Sequence, residues 1–201
     1  MRRLWLASAS PRRAQLLASI GVKVHQVLRP EIDETPHTGE SPEDYVRRMA
    51  SEKAAVGWQR LAEQERRVAA LLAADTSVVF DGQILGKPDN DEHARQMLGL
   101  LSAREHQVLS AVTVITDTGI DHVLSESRVR FATLSDADIS AYVSSGEPMD
   151  KAGSYALQGF GALFVEHLSG SYSGVVGLPL AETGHLLRQA QVPIWQQGER
   201  N

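Results

Sequence analysis

Leu4-Trp5-Leu6-Ala7-Ser8-Ala9-Ser10-Pro11-Arg12-Arg13 passes from an apolar run straight into a helix start. Leu4 to Ala7 reads as a short buried strand. Ser10 fits the N-cap, and Pro11 fits the first helical position, where its missing N–H costs nothing. Leu16, Leu17 and Ile20 then give the helix one apolar face, and Gly21 closes it. The free N–H groups and the positive end of the helix dipole therefore face the exit of the strand, which is a natural anion site. Arg12 and Arg13 stand in that first turn, where dipole logic prefers acids. Either they serve something negative bound at the helix end, or they are solvated surface arginines.

Working outward, Val22 to Leu28 alternates apolar and polar residues and reads as a second strand. Residues 29–41 are rich in Pro, Asp, Glu, Thr and Gly and read as a loop. Ser41-Pro42-Glu43-Asp44 is a strong helix start, and its helix runs through Tyr45, Val46, Met49, Ala50 and Lys53 to about Ala62. Val68 to Ala73 leads into a strand expected to end near Asp75. Val78 to Leu85 reads as a hairpin, because Asp81-Gly82 between two apolar runs favours a type I′ turn.

In the second half, Glu92 to Leu101 reads as helix, followed by two long paired strands, Glu105 to Thr116 and Asp121 to Ala132, joined around Gly119. Ser135-Asp136-Ala137-Asp138 caps a helix that Gly146 ends. Ala162 to His167 and Tyr172 to Val176 are expected to be short strands. Pro179 opens a last helix to about Gln191, and the polar tail from Gln196 is expected to fray. Helices and strands intermingle, so the class is α/β or α+β with a mixed sheet, in one unit of two lobes spanning residues 1–201.

The 201 residues carry a formal net charge of −5, which argues against a nucleic-acid polymer or a membrane surface as partner. Cysteine is absent, so disulfides, thiolate metal sites and cysteine nucleophiles are ruled out. No apolar run reaches the roughly 18 residues of a membrane-spanning helix. Pro11-Arg12-Arg13 interrupts the N-terminal apolar run too early for a signal peptide, so the expected location is cytoplasmic.

Several polar residues could carry chemistry. Glu31, Asp33 and Glu34 cluster in the loop, where acids are most often merely solvated. Asp75 follows an apolar strand and needs a partner there. An acid so placed suits a hard divalent cation or the activation of water. Lys53 and Lys87 are either surface lysines or, with Arg12 and Arg13, the balance for a triphosphate and its metal. The glycine-dense segments Gly153 to Gly159 and Gly170 to Pro179 permit close backbone approach to a ligand, or are simply turns and bulges. Gln158 offers both a donor and an acceptor to a base edge. Neither segment matches a Walker A loop or a dinucleotide fingerprint. The seven histidines lack metal-ligand spacing, and His106 reads as a structural histidine near the cleft.

As a set, these motifs resemble a known family. Leu6 to Arg13, Ile32-Asp33-Glu34-Thr35-Pro36, Ala73-Ala74-Asp75-Thr76, Gly86-Lys87-Pro88, Asp150-Lys151-Ala152-Gly153 and Val175-Val176-Gly177-Leu178-Pro179 are similar, in order and spacing, to the Maf family of nucleotide pyrophosphatases. The resemblance covers about residues 4 to 188. It implies a mixed α/β fold of two lobes around a central cleft, similar to inosine triphosphate pyrophosphatases, that splits a nucleoside triphosphate between its α and β phosphates. It further implies a divalent metal cation (Mg, Mn or Co) held by Glu34 and Asp75. Asp75 would be the catalytic base or water-positioning residue, and Ser8, Arg13, Lys53 and Lys87 would bind phosphates.

Arg12, Thr76 and Gln158 look like the branch acting on dTTP and UTP, rather than the branch acting on 7-methyl-GTP, and so read as specificity residues. Gly174, Ala103 and Leu157 depart from the family's usual Asn, Gly and Ile. Homodimerisation, common in the family, is compatible with the chain. The family name also refers to septum inhibition, which leaves a nucleotide-binding regulator of septum formation and cell division as the alternative.

Overall fold

The computed structural model describes residues 1–196; the frayed tail expected from Gln196 otherwise lies outside the described residues. A seven-stranded mixed sheet forms the frame. Its strands are β1 (Arg3–Ala7), β2 (Val24–Leu28), β3 (Ala69–Phe80), β4 (Gln83–Leu85), β5 (Glu105–Thr116), β6 (Gly119–Phe131) and β7 (Val165–Ser169). They lie in the order β2-β1-β3-β5-β6-β7, with β4 also paired to β3. The β1–β2 and β1–β3 pairs are parallel, and the other pairs are antiparallel. The helices are α1 (Pro11–Ser19), α2 (Pro42–Gln59), α3 (Glu63–Arg66), α4 (Asp91–Leu101), α5 (Asp136–Ser144), α6 (Tyr172–Val176) and α7 (Leu180–Gln189).

The two-residue period of the strands sorts the core into layers. Trp5, Ala7, Leu71 and Ala73 point to one face, where Ala54 of α2 covers them. Farther along that face, Val46 and Ala50 of the same helix pack on Val79, Leu109 and Ala111. Two separate helix groups share the opposite face. At one end α1 and α7 cover Leu4, Leu6, Ala70, Leu72, Val112 and Val114 with Leu16, Leu17, Leu186 and Leu187. At the other end α4 and α5 cover Val78, Phe80, Val108, Val129 and Phe131 with Ala94, Leu98, Ile139 and Tyr142. Each fully buried leucine of these layers contributes about 1.5–3 kcal/mol.

Three local expectations are corrected. β3 does not end near Asp75. It runs through it, because β5 pairs the whole stretch from Ala70 to Val79, including Asp75 with Ala111 and Thr76 with Ser110. Tyr172–Val176 is a helix rather than a strand, because the Ser171 hydroxyl accepts the Gly174 N–H and caps it. The strand expected from Ala162 begins at Val165, after a 3-10 turn at Phe160–Phe164. The hairpin is as expected, with Asp81 and Gly82 both at positive φ, as a type I′ turn requires. Among the described residues, no helix is long and apolar enough to cross a membrane.

Candidate active site

One edge of β3 is continuously paired with β5, but the other is shared. β1 pairs it from Ala69 to Ala73, and β4 pairs it from Val78 to Phe80. Between these stretches Ala74 to Ser77 have no strand beside them. β1 ends there and turns through Ser8 into the N-terminus of α1. A cleft of about 760 Å³ opens at that gap. Ser8, Arg12, Arg13, Glu34, Lys53, Asp75, Thr76, Lys87 and Gln158 all line it. The structure thus gathers all nine candidate residues, although they span the chain from the first strand to the segment after α5.

The strand period sends Asp75 and Thr76 to opposite faces of the sheet, and the open edge lets both reach the cleft. Asp75 lies on the α2 side. There the Lys53 ammonium donates to Asp75 Oδ1 and forms an ion pair with Glu34 Oε1, each at 2.7 Å. The Ser77 hydroxyl donates to the other Asp75 oxygen at 3.4 Å. Lys53 and Asp75 are 13% and 14% exposed whereas Glu34 is 56% exposed, so Glu34 reaches in from the rim. Burial pushes the Glu34 carboxyl up, but the hydrogen bond and charge of Lys53, with Lys87 and Arg13 beyond, leave it below its usual value.

Thr76 lies on the α1 side. Its hydroxyl meets the Ser110 hydroxyl at 2.9 Å and accepts from Arg13 Nη2 at 3.4 Å. Arg13 also donates to the Gly177 carbonyl at 2.9 Å and to the buried Ser8 hydroxyl at 3.2 Å. Burial lowers its pKa, with the Asp75 charge opposing. A guanidinium has five donors. Three are directed to protein here, so this is a braced cation with capacity left for an anion.

The Ser10 side chain makes no cap, and instead Ser8 Oγ accepts the Ser10 N–H at 3.1 Å. Pro11 holds the first helical position as expected. Arg12 lies in the cleft with a buried Nε that has no partner among the described residues. Lys87 and Gln158 are exposed at the rim.

Sequence reasoning missed several contributors. The Tyr45 hydroxyl donates to the Glu34 carbonyl at 2.9 Å. Burial and the nearby Asp75 and Glu34 charges push its pKa up to about 12. Arg48 donates to Glu40 and to the Thr35 carbonyl, fixing the loop that carries Glu34. Asp150, Lys151 and Tyr155 line the cleft as well. The Asp-Lys-Ala-Gly motif was the one signal for Lys151, and nothing local marks Tyr45 or Arg48. His106 stands behind the wall: its Nε2 meets the Tyr155 hydroxyl at 2.8 Å, and burial lowers its pKa to about 4.

Among the described residues no three His, Asp or Glu side chains converge as a metal cage. Two carboxylates do converge, on the single Lys53 ammonium. That donor set fits a hard cation of the Mg²⁺ type, which takes one or two carboxylates and completes its shell with phosphate oxygens and water.

Residues 3–190 match the family described as Maf-like protein. A dTTP/UTP pyrophosphatase of Methylococcus capsulatus is 56% identical over 186 residues, covering 92% of this chain and 90% of the relative. A dTTP/UTP pyrophosphatase of Shewanella oneidensis is 50% identical, covering 94% and 98%. Another, of Ralstonia nicotianae, is 48% identical, covering 95% of each. Among solved structures, the Staphylococcus aureus Ham1 protein aligns with a TM-score of 0.39 and 14% identity, over 65% of this chain and 72% of its own.

Proposed function

The chain belongs to the Maf family, and from that premise we propose that it is a nucleoside triphosphate pyrophosphatase acting on dTTP and UTP. The observation that carries the reading is the cleft itself. A carboxylate pair is balanced on Lys53 at one side of the open β3 edge, and a braced arginine at a helix N-terminus lies at the other. The chain is read as one unit of two lobes, with the cleft at the gap beside β3, where both faces of the sheet reach it.

In this reading the Ser8–Arg13 turn, Lys53 and Lys87 hold the triphosphate, and the α1 N-terminus adds its free N–H groups. Asp75 orients a water against the α-phosphorus and accepts its proton. The new bond forms from that water oxygen to the α-phosphorus, the α–β anhydride bond breaks, and pyrophosphate leaves. Arg13 and Lys87 stabilise the charge that builds on the leaving group. Glu34 and Asp75 would hold a divalent cation (Mg²⁺, Mn²⁺ or Co²⁺), which when bound polarises phosphoryl oxygens and lowers the pKa of water. Arg12, Thr76 and Gln158 would set base preference. Gln158 can meet the O4 and N3–H edge of uracil or thymine with its donor and acceptor.

A panel of dTTP, UTP, CTP, 7-methyl-GTP and ITP with metal, read by pyrophosphate release, tests this. dTTP and UTP should be turned over best, and Asp75→Asn should lower every rate by about 10²–10⁴-fold. A purified protein that leaves every triphosphate intact would overturn the reading.

A further inference from the structure

Gln158 sits in residues 155–161, a segment without a strand partner that forms one wall of the cleft. Its backbone is held instead by two side chains from the end of α5 and just after it. Glu147 Oε1 accepts the Gly161 N–H at 3.1 Å and the Tyr142 hydroxyl at 2.9 Å, and Oε2 accepts the Phe160 N–H at 3.0 Å. The Tyr142 oxygen in turn accepts the Ala156 N–H at 3.1 Å. Amides on both sides of Gln158 are therefore tied to one carboxylate–phenol pair.

The segment is shaped to admit that pair. Gly159 has a φ of +148°, which side-chain-bearing residues rarely adopt, and a Cβ there would collide with the Glu147 carboxylate. A Cβ on Gly161 would lie 2.8 Å from the Tyr142 hydroxyl. Tyr142 is itself fixed in the core, its ring 4.9 Å from that of Phe164 in an edge-on contact. Neither Glu147 nor Tyr142 lines the cleft.

We propose that Glu147, acting with Tyr142, is a positioning residue that holds Gln158 ready for the base and thereby sets pyrimidine selectivity without touching substrate. The proposal rests on the reading of Gln158 as a base reader. Its physical basis is that ordering a residue's backbone costs about as much as one hydrogen bond returns. A segment that became ordered only on binding would cancel what Gln158 gains. The clamp meets that cost during folding, so a base contact is returned in full as affinity.

The test compares the wild-type chain with Glu147→Gln, Glu147→Ala and Tyr142→Phe. The readouts are KM and kcat for dTTP, UTP and CTP, together with inhibition by inorganic tripolyphosphate, a probe that has no base. Glu147→Ala should raise KM for dTTP and UTP by about tenfold and flatten their advantage over CTP. Its kcat should change less than its KM, and inhibition by tripolyphosphate should stay as in the wild type. Glu147→Gln, which keeps one acceptor oxygen, should fall between. Tyr142→Phe, which keeps the buried ring, supplies the same comparison if the Glu147 variants fail to fold.

Unchanged selectivity in folded variants overturns the clamp alone, as does a tripolyphosphate inhibition constant that rises in step with KM. No turnover by the wild type overturns the pyrophosphatase reading and the clamp with it.

Discussion

Two irregular segments bring chemistry to the cleft, and they are pinned in opposite senses. The segment carrying Glu34 is held by donors. Tyr45 and Arg48, both on α2, give hydrogen bonds to the Glu34 and Thr35 carbonyls, and Arg48 also takes the Glu40 carboxylate with two of its nitrogens. The segment carrying Gln158 is held by acceptors, the Glu147 carboxylate and the Tyr142 oxygen, which take its N–H groups. In each case the clamp supplies what the strandless backbone lacks. The donor clamp grows from the helix that also carries Lys53, so it holds Glu34 beside the Lys53–Asp75 pair. The acceptor clamp grows from α5 and the turn after it, on the opposite face of the sheet, and holds the segment of Gln158, the proposed base reader. In the proposed reading, the difference places the support of rate and the support of selectivity in separate parts of the fold.

That separation can be broken by substitution. The largest expected effect follows Arg48→Ala, which frees the Glu34 segment. It should lower kcat for every triphosphate by about tenfold or more while leaving the ratio of dTTP to CTP turnover unchanged. A changed ratio would merge the two functions.

On the base side, Gln158→Ala and Arg12→Ala should each shift base preference by about threefold to tenfold, the worth of one hydrogen bond, measured as ratios of kcat/KM. An Arg12→Ala enzyme slowed equally on all substrates would show Arg12 to be a phosphate contact instead.

A smaller effect sharpens the chemistry-side clamp through pH. The hydrogen bond from Arg48 holds the Glu40 carboxyl at about 2 against an ordinary 4.5. A depressed carboxylate contributes stability that is fully present above its unfolded value and lost as pH falls through the folded one. The difference in urea-unfolding free energy between wild type and Glu40→Gln should therefore shrink between about pH 4.5 and about pH 2. A difference constant over that range would show that Arg48 does not hold the charged form. Least of all, Ser41→Ala removes the hydroxyl that accepts the Asp44 N–H at the start of α2. It should cost about 1 kcal/mol of stability by denaturant melts and leave base preference alone.

Much of this was legible in the sequence because it depends on neighbours along the chain. The Ser-Pro helix starts, the Asp81-Gly82 turn and the paired β5 and β6 strands rest on local rules and formed at the expected places, although Ser10 makes no side-chain cap. Seven of the nine cleft residues lie in motifs that the resemblance tied together, Lys53 and Gln158 were singled out by their own chemistry, and each of the nine does line the cleft. What misled was the polar run Asp75-Thr76-Ser77, which looks like a strand's end. β5, thirty-odd residues downstream, supplies its backbone partners, so the strand continues. Tyr172–Val176 misled in a similar way, since its apolar residues suit a strand but the Ser171 cap starts a helix.

By itself, then, the sequence determined the mixed α/β class and the identity of the acids and cations in the cleft. Those follow from the local periodicity of apolar residues and from chemistry that each side chain carries anywhere. Only the tertiary structure decided that β1 and β4 leave a gap beside β3, so that both faces reach one cleft. It alone brought Tyr45, Arg48, Tyr142 and Glu147 behind the two segments. Such contacts join groups whose partners are backbone atoms, and backbone atoms leave no mark in the order of residues.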